Sequence, residues 1–340
     1  MGSNSETQEF TSPHETGAVE LGELYQSIAR RVAKRGINRA RDLLREEIIS
    51  GDVGGTVSHP GHRGSPADKI DADMDETLEQ LIRSNSPDAI FFSEERQRTY
   101  HPKARQIVAR ADPVDGTKNA LRLFGSYAVA VYYERVGRNA DHLTHLAGAI
   151  ASSHGEVVSW CKHRHGGEVW VEWPTSLPWD ESNPSDMDEL NAGNFAVQLV
   201  REEEQLRAAG LRAGDKRSVA AVAATAERRG MPIFNRLGLG DAASDSWVST
   251  CGGNPMIAPL LLGDLGAIVE PKADVSVDDA LYLIPLVLAG GEAIGPSGES
   301  IEVFEPFRAL NEEERRIGPF VATVGQESKQ YWRKKVRDSI

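Results

Sequence analysis

Two aspartates, Asp112 and Asp115 in the stretch ADPVDGTKNA, flank a proline and precede a glycine and a threonine. Asp-Pro and Asp-Gly are both strong turn signals, so a surface turn accounts for the residue types at face value. The stretch also ends an apolar run, QIVARAD at 106–112, that reads as a buried strand. Such a strand delivers the Asp112 carboxylate to the end of a sheet, where loops leave an opening. One tight turn through Pro113 then brings Asp115 to face the same point. Two like charges held that close repel by several kcal/mol unless a cation neutralises them. Hard oxygen donors at this spacing suit Mg2+ or Mn2+. If Gly116, Thr117 and Lys118 open a helical turn, their N–H groups point at an anion beside the cation, and that anion is expected to be a phosphate.

Other acids support this against the bare turn. FFSEER places Glu94 and Glu95 directly after the apolar run AIFF at 89–92, at an interval before Asp112 that fits a strand, a turn and a second strand. SPADKIDADMDETLEQLI carries acids at 68, 71, 73, 75 and 76 just before an amphipathic helix marked by Leu78, Leu81 and Ile82. Any one of these is as well explained by helix capping. SVDDALYLIPLVLAGGEAI places Asp278 and Asp279 at the head of an almost wholly apolar helix, where one can cap and the other ligate.

In this combination the chain resembles the Mg2+-dependent, lithium-sensitive phosphatases that include inositol monophosphatases and fructose-1,6-bisphosphatases. The family's DPxDGT is matched in full by residues 112–117, its GEE by Ser93-Glu94-Glu95, and its Trp-Asp followed by AGG by Val277-Asp278 and Ala289-Gly290-Gly291. The resemblance runs over about residues 65 to 295. It implies a five-layered αβαβα sandwich, an α+β N-terminal half followed by an α/β half, with the site between them. It implies a first Mg2+ on Glu94, Asp112 and the carbonyl of Val114, a second on Asp112, Asp115 and Asp278, and a third weaker ion near Glu94. Thr117, paired with an upstream aspartate, would orient and deprotonate a water with Glu94. Asp75 gives that aspartate the better helical register, with Asp71 and Asp73 as alternatives. Gly116 and Thr117 would bind phosphate through their N–H groups, and Gly252, Gly253 and Glu270 would contact the rest of the substrate. Family members are often homodimers. Ser93 and Val277 replace the usual Gly and Trp, and Cys251 stands where the family usually has Gly.

The substrate class implied is a small phosphorylated polyol, sugar, cyclitol or nucleotide. A bisphosphate-specific enzyme and a catalytically silent phospho-ligand binder are the alternatives, the last weakened by the intact acids. Arg236 and Lys216 are candidates for a second anionic group, though solvated surface charge is the commoner explanation; His62 and His101 read as loop residues.

The rest of the chain must position these groups. Its 340 residues, 40% hydrophobic and 26% charged, are enough for one large domain or two abutting lobes. A net charge of -13 argues against a nucleic-acid backbone or anionic membrane as main partner. Cys161 and Cys251 read as buried free thiols. The first twenty residues lack a signal-peptide pattern and no unbroken apolar span is long enough for a membrane, so a cytoplasmic protein is expected. Residues 1–17 read as flexible, 18–50 as one or two helices, and 51–68 as a Gly/Ser/Pro-rich loop. Strands are expected at 127–136, 145–150, 155–161, 266–270 and 319–324. WPTSLPWDESNPSDMDELNAG, 173–193, reads as the linker between a half at 18–190 and a half at 191–340.

Overall fold

The computed structural model describes residues 13–50, 56–57, 67–93, 103–121, 126–163, 166–174, 194–199, 218–222, 247–251, 253–311 and 313–338. Helix α1 (Pro13–Ser50) is a single helix that begins inside the segment read as flexible. Its buried residues Ala29, Val32, Ala33, Ile37, Ala40, Leu43 and Leu44 recur at three and four positions, forming one apolar stripe. At Gly36 the helix lies so close to Val129 and Leu78 that an added Cβ would stand 2.9 Å from Val129 Cγ1. Helix α2 (Lys69–Asn85) packs beside it through Ile70, Met74, Leu78 and Ile82.

Both helices cover one face of a seven-stranded sheet made of β1 (Ile90–Ser93), β2 (Ile107–Asp115), β3 (Ala128–Val136), β4 (Leu143–Ser152), β5 (Val157–His163), β6 (Gly166–Pro174) and β7 (Asn194–Leu199). Strand β3 shows how the sheet is built. Val129, Val131 and Tyr133 face α1 and α2, while Ala128, Ala130 and Tyr132 face the C-terminal helices. Burial on both faces explains why these strands read as continuous apolar runs.

A second, five-stranded sheet has the order β9–β8–β10–β12–β11, with β8 (Ser218–Val222), β9 (Trp247–Cys251), β10 (Ala267–Glu270), β11 (Glu292–Ile294) and β12 (Phe320–Thr323). Between the sheets lie α4 (Ile257–Leu262) and α5 (Leu283–Leu288), flanked by a short α6 (Phe304–Arg308). On the far side α7 (Gln326–Asp338) buries Trp332 and Val336 against Ala267, Val269 and Val321. The five layers are therefore helix, sheet, helix, sheet, helix, as expected. No described helix is long and apolar enough to cross a membrane.

Three expectations change. β1 and β2 pair in parallel, Ser93 opposite Ala111, rather than as strand, turn and strand; parallel pairing brings both C-terminal ends to one edge, which a tight hairpin cannot do. Of the segment 173–193, Trp173 and Pro174 are strand, and residues 175–193 lie outside the described residues. Trp173 and Pro174 belong to β6, which pairs antiparallel with β7 from Pro174↔Asn194 onward. The apolar helix after Asp278 begins at Leu283, because residues 278–282 form tight turns, with Leu281 N–H reaching the Asp278 carbonyl at 3.4 Å.

Candidate functional site

DPVD is a strand end with an irregularity, not a free turn. Asp112 pairs with Ala130 and Asp115 with Ala128, so three steps along β2 match two along β3. A regular strand would send residues three apart to opposite faces; the extra residue puts Asp112 and Asp115 on the same face. Pro113 is tolerated there because the ladder is already interrupted. Gly116 follows with φ +87, a conformation L side chains rarely adopt, and the short helix α3 (Thr117–Leu121) starts at once.

Asp112 is buried, and its Oδ2 lies 3.4 Å from Asn254 Nδ2. Asn254 opens the turn Asn254–Met256 that leads into α4 and joins the two halves of the site. Its backbone N–H donates to Asp115 Oδ2 (2.8 Å), its Nδ2 also to the Asp278 carbonyl (3.3 Å), and its Oδ1 accepts from the Tyr282 N–H (3.0 Å). Composition alone did not single out Asn254; its signal was its place after Cys251-Gly252-Gly253. Gly253 is buried against the Tyr282 ring, which a Cβ there would strike. Asn254→Ala removes three buried hydrogen bonds and is expected to destabilise the protein by about 2–4 kcal/mol in urea unfolding.

Thr117 Oγ1 lies 2.9 Å from Asp71 Oδ1 and 2.8 Å from the Val114 carbonyl. The upstream aspartate is thus Asp71, not Asp75. The two stand one helical turn apart on the same face of α2, so register alone does not separate them. Asp75 sits one turn further along, where the Ser93 hydroxyl donates to its Oδ1. Ser93, in place of the family's glycine, thereby serves a buried carboxylate.

Burial and the neighbouring Asp279 carboxylate push Asp115 up to about 7, with Glu270 adding to the effect. Glu270, at the end of β10, is likewise pushed up to about 7, by burial against the pull of the Lys272 N–H at 2.8 Å and with Asp279 again raising it. The acid whose charge acts on Asp115 and Glu270 is therefore Asp279. Asp278 faces the first sheet: Tyr132 donates its hydroxyl to Asp278 Oδ1, and Arg315 Nη2 donates to Tyr132 Oη at 2.7 Å. The sequence left open which of the pair caps and which ligates, and the tertiary contacts place them on different neighbours. Glu94, Glu95, Gly252, Lys216, Arg236, His62 and His101 lie outside the described residues. Cys161 is buried, and burial pushes its thiol up to about 12.

Among the described residues no three acidic, His or Cys side chains already stand together as a metal cluster. The donor chemistry nonetheless fits a hard cation. Asp112 and Asp115 share one face at the end of β2, and the charge of Asp279 raises both Asp115 and Glu270. Between the ordinary carboxyl range near 4 and about 7, the metal-free folded chain holds protons on these two groups that the unfolded chain has lost. Their contribution to stability therefore declines as pH rises through that window. Protons compete with a cation for the same oxygens. The rise in Tm caused by saturating Mg2+ is accordingly expected to be several degrees larger at pH 8 than at pH 5 by calorimetry, and an equal rise at both pH values would contradict the assignment.

Neither a protein-family model nor a curated protein matches the sequence. Solved structures do match its fold. The extragenic suppressor protein suhB from Bartonella henselae aligns over 92% of this chain and 98% of its own at 14% identity and TM-score 0.56. Fructose-1,6-bisphosphatase from Leishmania major covers 96% of each chain at 13% identity and TM-score 0.56. An inositol monophosphatase from Zymomonas mobilis covers 96% and 99% at 16% identity and TM-score 0.53. The architecture is that of the inositol monophosphatase and fructose-1,6-bisphosphatase structures.

Proposed function

We propose that this chain is a Mg2+-dependent phosphomonoesterase of a small phosphorylated polyol, sugar, cyclitol or nucleotide. The observation that carries the reading is the irregular end of β2, which turns Asp112 and Asp115 to one face beside Asp279 and Glu270, within a fold shared with phosphatases. Asp112, Asp115, the Val114 carbonyl and Asp278 or Asp279 would hold the cations, with Glu94 completing the set. Divalent ions so held lower the pKa of a water and neutralise phosphate charge.

The chain's own groups do the remainder. Thr117 has one hydroxyl proton and two acceptors in reach, Asp71 Oδ1 and the Val114 carbonyl. Donating to Asp71 frees the Val114 oxygen for a cation and leaves the Thr117 lone pairs to accept from the attacking water. That orients the water and passes proton density from Thr117 Oγ1 toward a carboxylate. The positive φ of Gly116 turns the chain so that the Gly116 and Thr117 N–H groups can meet phosphate oxygens. Glu270, partly protonated near neutral pH, can donate to or accept from a substrate hydroxyl.

The test is phosphate release from a panel of sugar phosphates, inositol phosphates and nucleotides, with Mg2+ and after chelation. At least one substrate is expected to turn over with Mg2+ and to lose turnover on chelation, with Mg2+ restoring it. Metal-independent turnover, or none across the panel, would sink the proposal.

A further inference from the structure

A separate cavity of about 450 Å³ opens where β4, β5 and α6 meet, lined by Thr144, His145, Lys162, Phe304, Phe307 and Arg308. It lies away from the acidic cluster. Asp112 pairs with Ala130, which pairs with Ile150, and His145 stands five residues back along that strand, roughly 17 Å at the usual rise.

His145 is buried, and Trp160 Nε1 donates to its Nε2 at 2.7 Å. Indole N–H only donates, so His145 Nε2 must accept and the ring proton must sit on Nδ1. That Nδ1 is buried and meets no hydrogen-bond partner among the described residues. An orphaned buried donor of this kind is destabilising. Burial pushes the ring down to about 3, with the charges of Lys162 and Arg315 acting in the same sense, so it is a neutral donor throughout the physiological range.

The other lining groups are of one sign. Lys162 Nζ stands 3.4 Å over the Phe304 ring, and Arg308 is exposed at the end of α6. No carboxylate among the described residues lies within ion-pair distance of either. The acid that acts on Lys162 is the exposed Glu302, and burial together with Arg308 still pushes Lys162 down to about 8. His142, also at the rim, is taken by Asp141, its Nδ1 2.6 Å from Asp141 Oδ1. Two cations and two aromatic rings thus converge on one opening, with the His145 ring in its wall.

We propose that this cavity binds a small organic anion, a carboxylate or phosphate group on a flat apolar body. The anion lies between Lys162 and Arg308, and the body rests against Phe304 and Phe307.

The experiment titrates benzoate and, separately, phenylphosphonate into the full chain with Mg2+ present. The readouts are the 15N signals of the His145 ring and of Lys162. Phenylphosphonate carries a carbon–phosphorus bond that a phosphomonoesterase does not cleave, so the two arms separate carboxylate from phosphate. Saturable binding of at least one probe is expected, with a shift of the Lys162 signal. Its affinity should fall at least tenfold in the folded Lys162→Met/Arg308→Gln variant and persist in Asp112→Asn. No saturable binding of either probe, unchanged affinity in the double variant, or loss in Asp112→Asn would each overturn the proposal. None of these outcomes depends on turnover, so the pocket stands or falls apart from the phosphatase reading.

Discussion

Asp112→Asn is expected to lower Mg2+-dependent phosphate release by roughly a thousandfold while leaving the fold intact. Asp112 is the acid shared between both proposed cations, so the substitution withdraws charge from each, and several kcal/mol of transition-state stabilisation at about 1.4 kcal/mol per decade gives that factor. The fold survives because asparagine is isosteric and its amide oxygen can accept from Asn254 Nδ2 as Asp112 Oδ2 does. The measurement is kcat at saturating Mg2+ on the best substrate of the panel, with Tm as the control. Turnover within tenfold of wild type would remove Asp112 from the metal set. A collapse of Tm would show that its role is structural.

Glu134→Ala is expected to cost about 3–5 kcal/mol of stability, because breaking a buried ion pair leaves uncompensated charge. Glu134 sits in the first sheet with its side chain wholly buried, its Oε2 3.0 Å from Arg110 Nε and its Oε1 3.3 Å from Arg315 Nη2. Burial pushes the carboxyl up, and the two guanidinium groups oppose that shift. Without Glu134, Arg110 and Arg315 lose the buried carboxylate they share. Arg315 keeps the carbonyls of Phe307 (2.8 Å) and Ala309 (3.2 Å), which hold its position but supply no negative charge. The same guanidinium donates to Tyr132, and Tyr132 to Asp278, so the network also fixes a candidate ligand from behind. Urea unfolding measures the loss. Glu134→Gln, which keeps an acceptor for one arginine, should lose less, and a Glu134→Ala variant within 1 kcal/mol of wild type would contradict the account.

Much of the site's first layer was legible because it is local. Strand β2 is an apolar run whose length and β-branched content declare it, and the proline and glycine of DPVDGT state where the ladder is disturbed and where φ turns positive. The order of the layers came from the family resemblance, while the elements themselves were legible in the helical spacing of α1 and the apolar run of β3. Those features depend on residues within one element, and nearest neighbours largely decide them.

What the sequence could not reach depends on which faces meet. Asp71 and Asp75 share one face of α2, and only the approach of β1 and of the β2 terminus assigns Ser93 to one and Thr117 to the other. Asn254 gathers Asp112 and Asp115, more than a hundred residues upstream, with Asp278 and Tyr282 downstream, a convergence with no local signature. Asp278 and Asp279 are adjacent in sequence, yet the turns before α5 set the first against Tyr132 and the second beside Asp115 and Glu270. By itself the sequence determined the chemical types and the elements that carry them. The tertiary structure decided the pairings, because contact between side chains distant in sequence is set by packing of whole layers rather than by any spacing along the chain.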